Sequence, residues 1–371
     1  MDFTFTEEQQ LLRDSLRGYL RSHYGFDHRR AASRGDSGWD AGTWSAFADR
    51  LGILSLAGGE TAPDPVDLMV VMEELGEALV LEPYLETVVT GAALLRASGG
   101  PTAGALLDGI VAGDVRLALA WAEPGTRYEW APQETRAERK GEEWVLSGRK
   151  SVVIAAPWAT HLIVSARTEG GVSLFLVAPD TPGVTLFAYP TIDGRRAADV
   201  EFADVRLDAD ALLGAEGAAL PLLERVGDAT IAAMGAEAVG IMRRLLEDTI
   251  AYTQSRQQFG QPISNFQVLQ HRMVDMFMQV EMATSAVYLA TLKLDAPAAE
   301  RARAASVAKV TVAEACRFVG QNAVQLHGGM GMTDELAIGH YFKRATVIEG
   351  ELGTVDHHVE RFARLQPEAA E

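Results

Sequence analysis

The chain has a single cysteine among its 371 residues. One thiol can form neither an internal disulfide nor a cysteine-rich zinc site. Cys316 stands among Val312, Ala313, Ala315, Phe318 and Val319. That apolar helical stretch reads as burial of an inert thiol rather than exposure of a nucleophile. Positive charge is scarce: 33 Lys and Arg face 51 Asp and Glu, a net charge of −18. Such a balance repels nucleic acid and anionic membrane, and the basic residues are scattered without interleaved aromatics. Long hydrophobic runs are missing too. No apolar run reaches about 18 residues, because Glu82 and Glu86 interrupt one candidate and Glu237 another, so no membrane span is expected. The opening Met1–Glu8 is acidic and lacks the basic, then apolar start of a signal peptide, which points to a cytoplasmic protein.

Several chemical signatures are absent as well. There is no phosphate-binding loop and no strand–GxGxxG–helix unit; Gly328, Gly329 and Gly331 follow a helical run rather than a strand. No GxSxG nucleophile elbow occurs. His357-His358 lack metal-ligand spacing and read as a surface pair.

What is present suits a globular protein, with 48% hydrophobic and 23% charged residues. The length suggests about two to three domains. Thr6 and Gln9 form a capping box, and Leu12, Leu16, Tyr19 and Leu20 follow it as a helical stripe. After a break over Gly58–Pro65, helices are expected over residues 66–78, 85–97 and 103–110. Near residue 114 the period changes, with Val115, Leu117, Leu119 and Trp121 alternating as in a strand. Strands are expected over 143–146, 151–155, 161–166, 172–177, 184–187 and 200–207. Turns at Ser147-Gly148, Gly170-Gly171, Thr181-Pro182-Gly183 and Asp193-Gly194 separate them. That density suggests a small barrel or sandwich. From about residue 216 helix returns, with a second capping box at Ser264 and Gln267 and a staple between Ile263 and Val268. A long helix over 297–326 is stopped by Gly328-Gly329. The order of helices, strands and helices gives an α+β chain of three packed domains: 1–113 helical, 114–215 β and 216–371 helical.

Two segments carry chemistry. Arg256-Gln257-Gln258-Phe259-Gly260-Gln261-Pro262-Ile263 places a guanidinium and side-chain amides beside an aromatic ring. Arginine binds phosphate bidentately, and a ring can cover a flat cofactor; the same segment also reads as a capped turn with a packed Phe. Gln325-Leu326-His327-Gly328-Gly329-Met330-Gly331-Met332 leaves bare backbone that a ligand can approach, or simply stops a helix.

Together these segments resemble the acyl-CoA dehydrogenase family, which carries R-x-x-F-G-x-P-I-x-x-F/H-Q and, downstream, Q-x-x-G-G-x-G. Here they are Arg256 to Gln267 and Gln325 to Gly331. The order of helical, β and helical parts matches along essentially the whole chain. Within the family, Gly148–Val153, Gln267–Arg272 and Gly339–Arg344 are similar to the small subunit of pimeloyl-CoA dehydrogenase. The resemblance implies an α+β, acyl-CoA dehydrogenase-like fold: an N-terminal helical domain, a middle β-barrel or sandwich, and a C-terminal four-helix bundle. It implies FAD as cofactor, an acyl-CoA thioester as substrate, a tetramer, and an electron-transfer flavoprotein as acceptor. It implies cofactor contacts at Arg256, Gln258, Phe259, Gln325, Gly328, Gly329 and Thr354. In this family a glutamate removes the α-proton of the acyl-CoA and the β-hydrogen leaves as hydride to flavin N5. That chemistry needs a positioned carboxylate and an environment that stabilises the thioester oxyanion.

Against the family pattern the chain lacks several residues. The Y-E-G-T motif reads Glu351-Leu352-Gly353-Thr354, so the base position is Leu352, which cannot take a proton. Glu351 is the neighbouring candidate, although one step on a helix turns a side chain by about 100°, and Glu349 points elsewhere again. A base position on an earlier helix of some relatives falls on Thr230, with Asp228 close in sequence. T-E-P-x-x-G-S-D becomes Ala122–Glu129, and W-I-T becomes Val152-Val153-Ile154. The retained segments are those that in this family reach the FAD of a neighbouring subunit; the lost ones line a subunit's own flavin and thioester pocket. The expected function is FAD-dependent α,β-dehydrogenation of an acyl-CoA, with this chain as a subunit beside a homologous catalytic chain. A self-sufficient homotetramer with a displaced base, and a non-catalytic structural or acyl-thioester-binding member, stay open as readings. Tyr84, Trp121 and Trp130 are candidates to shape a substrate pocket. Arg127 and Arg195, read as surface arginines, could meet a second carboxylate.

Overall fold

The structure is a computed structural model that describes residues 5–59 and 61–365. The first four residues of the acidic opening, Glu60 within the Gly58–Pro65 break, and residues 366–371 lie outside the described residues. In chain order the described helices begin with α1 (Glu7–His23), α2 (Phe26–Arg34), α3 (Ala41–Asp49), α4 (Pro65–Glu77), α5 (Ala92–Ser98) and α6 (Gly100–Val111). A π-helical segment, Leu85–Gly91, leads into α5. The strands follow: β1 (Leu117–Ala120), β2 (Arg136–Lys140), β3 (Glu143–Ile154), β4 (His161–Thr168), β5 (Gly171–Val177), β6 (Val184–Pro190), β7 (Arg196–Leu207) and β8 (Leu212–Leu213). Then come α7 (Ala219–Ser255), a small hairpin of β9 (Gln257–Gln258) and β10 (Gln261–Pro262), α8 (Gln267–Leu292), α9 (Ala298–His327), α10 (Ala337–Gly350) and α11 (Val355–Arg364). The capping box at Thr6 and Gln9 forms as its spacing predicts, satisfying two backbone donors at the start of α1.

The chain divides into two compact units. One comprises Met1–Arg30, Pro65–Val80 and Ile231–Glu371. Within it, α4 and the later part of α7 approach backbone to backbone. A Cβ on Gly76 would lie 2.1 Å from the Glu237 carbonyl oxygen, and one on Gly240 would lie 2.0 Å from that of Glu73, so only glycine serves at either place. Beside this contact the buried Glu73 carboxylate accepts from Arg13 of α1 at 2.9 Å and from Arg243 of α7 at 2.8 Å. A buried carboxylate shared by two guanidiniums ties three helices through charge that would otherwise be costly to bury.

The other unit comprises Ala31–Asp64 and Leu81–Thr230. Its centre is one sheet in the order β6-β7-β3-β2-β4-β5-β8, with β1 pairing parallel to β4. Trp144, Leu162, Val164, Phe175 and Val200 are buried in its core; Trp144 and Phe175 meet edge to face at 5.2 Å.

Several expectations change. β2 has no apolar alternation to announce it: Arg136–Lys140 buries only Ala137. Ser147-Gly148 is not a turn. β3 runs through it, and the ladder to β7 absorbs the irregularity in register shifts between Leu146 and Gly148 and between Lys150 and Val153. The second capping box does not form. Ser264 lies in a 3₁₀ turn, Ile263–Asn265, and α8 starts behind Phe266 with no side-chain cap. Tyr84 is core rather than pocket wall, buried with its hydroxyl donating to the Ile53 carbonyl at 2.9 Å. No helix among the described residues is long and apolar enough to cross a membrane.

Candidate functional site

The hairpin between α7 and α8 turns sharply, with φ of 55° at Phe259 and 79° at Gly260. The Ile263 amide closes it by donating to the Arg256 carbonyl at 2.8 Å. Phe259 is 91% exposed and meets Phe266 edge to face with centroids 6.0 Å apart. The packed-Phe reading therefore fails, because the turn projects the ring away from the core. Arg256 and Gln258 are exposed on the same hairpin.

The end of α9 adjoins the end of α7. His327 stacks on Tyr252 with centroids 4.3 Å apart, and the Tyr252 hydroxyl donates to the His327 carbonyl at 3.4 Å. This contact sets the end of α9, which carries Gln325 and leads into Gly328 and Gly329, against the last turn of α7 before the hairpin. Gly328, at φ 61°, caps α9 with its amide on the Gln325 carbonyl. A Cβ at Gly328 or Gly329 would meet nothing within 4 Å, so the backbone there is open to a ligand. One guanidinium, two side-chain amides, an exposed ring and a bare Gly-Gly backbone suit a polyphosphate with flat rings, and FAD is such a group.

Thr354 stands apart from these six. Its hydroxyl caps α11, accepting from the His357 amide. The turn it follows is tied to Lys309, which precedes Gly328 by 19 residues of α9, about 28 Å of helix.

That turn carries Leu352, which the sequence aligns with the family's glutamate. Leu352 sits in the left-handed region at φ 58°. Buried Lys309 donates through Nζ to the carbonyl oxygens of Ile348, Glu349 and Gly353 at 3.0, 2.9 and 2.7 Å. Burial pushes this ammonium down to about 8. His358 Nε2 donates to the Leu352 carbonyl at 3.0 Å. Burial lowers the His358 imidazole to about 3, so it is neutral at pH 7. His358 is thus a buried clamp rather than one of a surface pair. Glu351 accepts from Arg344 Nη1 at 3.0 Å. Arg344 is itself buried and bidentate to Glu237 at 2.7 and 2.8 Å. Glu349 pairs with Arg317. The earlier base position fares no better: the Thr230 hydroxyl donates to the Val226 carbonyl at 2.8 Å and lies 2.9 Å from that of Thr90.

In the β unit the loop that replaces T-E-P-x-x-G-S-D is stapled at both ends by Glu123. Its carboxylate accepts from the amides of Gln133, Glu134 and Thr135 at 2.7, 2.8 and 2.9 Å and from Lys150 Nζ at 3.0 Å. Both side chains of this ion pair are fully buried. Burial opposes the carboxylate's charge, yet the hydrogen bonds from Thr135 and Glu134, with the Lys150 ammonium, hold it down to about 2. Burial in turn pushes Lys150 down to about 8. No local pattern announces this pair, although Glu123 falls within the first compared motif and Lys150 stands two residues before the second.

At the flavin-ring positions Val153 is buried, while Val152 is exposed at φ 51°. Neither supplies a ring or a hydroxyl. Arg195 is not a surface residue; it is buried and pairs with Glu86 of the π-helical segment at 2.7 Å. Arg127 is exposed. Cys316 is buried, and burial pushes its thiol up to about 12, as befits an inert residue. No cluster of His, Cys, Asp and Glu among the described residues could hold a metal ion.

Comparison with known proteins fits this picture. Residues 118–208 match the acyl-CoA dehydrogenase middle domain and residues 230–365 its C-terminal domain. The acyl-CoA dehydrogenase IpdE2 of Mycolicibacterium smegmatis is 30% identical over 349 residues, covering 92% of this chain and 93% of that protein. Among solved structures, the Tcur3481-Tcur3483 steroid acyl-CoA dehydrogenase (G363A variant) is 30% identical with a TM-score of 0.87, over 97% of both chains. The ChsE4-ChsE5 complex from Mycobacterium tuberculosis is 27% identical with a TM-score of 0.89, over 100% of both chains. The chain belongs to the acyl-CoA dehydrogenase family of FAD-dependent flavoprotein oxidoreductases.

Proposed function

We propose that this chain is the non-catalytic subunit of a heteromeric FAD-dependent acyl-CoA dehydrogenase, assembled with a homologous chain that carries the base. Leu352 carries the reading. Lys309 and His358 hold the turn that presents residue 352, but its side chain cannot accept a proton. Glu351 is committed to Arg344, and the Thr230 hydroxyl to Val226 and Thr90. When bound, FAD supplies the hydride acceptor for α,β-dehydrogenation of an acyl-CoA thioester.

This chain's share is binding and assembly. Arg256, Gln258, Phe259, Gln325, Gly328 and Gly329 offer charge, amides, a ring and open backbone to the FAD of a neighbouring subunit, with Thr354 as a separate contact. An apolar face of α8, with Val274, Phe277, Met278, Met282, Leu289 and Leu292 exposed, supports a tetramer interface. The two-protein complexes among the similar structures support the heteromeric form. We assign the acceptor as an electron-transfer flavoprotein, the location as cytoplasmic, and the domains as 1–113, 114–215 and 216–371.

The test is the flavin absorbance of the full chain purified alone with FAD supplied, then again after co-expression with a homologue carrying the glutamate. A colourless lone chain and half the usual flavins per tetramer in the complex are expected. A stoichiometric flavin on the lone chain that bleaches anaerobically with acyl-CoA would overturn the reading in favour of a homotetramer.

A further inference from the structure

We propose that Trp130 closes this chain's own acyl pocket by seating its indole on α7 at Gly227, in the place an acyl chain would need. The inference rests on the proposed function, because it takes the loop at 122–129 and the helix around Thr230 as the walls of that pocket.

The seat is close and built. A Cβ on Gly227 would lie 2.3 Å from Trp130 Cζ2 and 3.0 Å from Cη2, so the indole lies directly on the helix backbone. Glycine inside a helix is destabilising relative to alanine, and here its bare surface is covered by one side chain. The indole also meets Trp121, with centroids 4.5 Å apart and planes inclined by 37°. Gly227 lies three residues before Thr230, on the same face of α7, so the indole stands one helical turn from the earlier base position. The Thr230 hydroxyl is turned to Thr90 and the Val226 carbonyl.

The loop that delivers Trp130 is fixed independently of the indole. Glu123 gathers the amides of Gln133, Glu134 and Thr135, and Lys150 holds Glu123. The Thr126 hydroxyl donates to the Glu123 carbonyl at 3.1 Å, and Arg127 adopts φ 52°. A left-handed non-glycine residue persists only where its surroundings over-determine it. The segment between these anchors has little freedom to lift the indole away. The family site in this chain is therefore closed from within, beyond having lost its base.

The experiment is calorimetric titration of the full chain with octanoyl-CoA, using wild type, Trp130→Ala and Gly227→Ala. Trp130→Ala removes the plug. Gly227→Ala keeps the indole but denies it its seat. The expected result is no thioester uptake by wild type and one thioester per chain, at least tenfold tighter than any wild-type signal, in both variants. One thioester per wild-type chain would overturn the proposal, as would folded variants that take up no more than wild type. If Trp130→Ala fails to fold, Gly227→Ala alone decides. The flavin count of the complex separates this from the parent reading: a full complement of flavins sinks the heteromeric function, whereas equal thioester uptake by wild type and variants sinks only the plug.

Discussion

Lys309 Nζ lies 2.7 Å from the carbonyl oxygen of Gly353, and the same ammonium reaches the carbonyls of Ile348 and Glu349. The last carbonyls of a helix have no intrahelical partner, so one buried lysine serves the end of α10 and the turn beyond it. Lys309→Met keeps the volume and removes the donor. Each buried acceptor left without a partner costs about 1–3 kcal/mol, and water can reach part of the turn, so a loss of about 3 kcal/mol in urea unfolding is expected. A loss below about 1 kcal/mol would show that the turn is held by other means.

The Glu123 staple has a pH signature. Its carboxyl is held at about 2 in the fold against 4.5 unperturbed. Between those values the unfolded chain binds a proton that the native chain does not. The stabilisation is therefore complete above about pH 4.5 and is lost as pH falls towards 2, by about 3 kcal/mol in all. Glu123→Gln cannot titrate. The stability gap between wild type and variant should shrink by that amount between pH 5 and pH 2 in denaturant titrations. A gap independent of pH would mean that the carboxyl is not depressed.

These two clamps also mark what local sequence cannot reveal. The stripe of Leu16 and Leu20 behind the Thr6 box is legible because helix period and cap signals lie within a few residues. The apolar runs of β4 and β5 are legible for the same reason, as short stretches set between turn residues. β2 is not, because Arg136–Lys140 has only Ala137 to bury and is set in place by its neighbours. Ser264 has the right spacing for a capping box, yet the 3₁₀ turn over Ile263–Asn265 hands the cap to Phe266. Arg344 and Glu237 are 107 positions apart, and Glu123 and Lys150 are 27 apart. Such pairs carry no periodic signal; only the fold brings them together. At the candidate site the motif positions were legible, but the exposure of Phe259 and the burial of His358 follow from backbone turns that composition does not encode.

Arg344 bears on the one carboxylate beside the base position. Glu351 contacts a guanidinium already bidentate to Glu237. Glu351→Gln should therefore leave dehydrogenation by the assembled enzyme within about threefold of wild type, at a cost of about 2 kcal/mol in stability. Glu237→Gln should cost about 3 kcal/mol or more, because it leaves the buried Arg344 short of its main partner. A hundredfold drop in kcat for Glu351→Gln, with stability retained, would instead make Glu351 the base and return the chain to the self-sufficient reading.

Phe259 tests the assembly directly. A ring that is 91% exposed contributes little to the stability of the lone chain, and surface substitutions of this kind stay within about 0.5 kcal/mol. If the hairpin reaches a neighbouring subunit, the same ring becomes a buried anchor there, and removing an aromatic anchor costs about 2 kcal/mol or more. Phe259→Ala should therefore unfold at an unchanged denaturant midpoint as a lone chain, while flavin retention by the complex weakens about tenfold or more. Denaturant titration of the lone chain reads the first quantity, and gel filtration of the complex with flavin absorbance reads the second. Unchanged retention would place the hairpin away from any interface and leave the exposed ring without a partner. A shifted midpoint in the lone chain would show instead that Phe259 packs against its own fold.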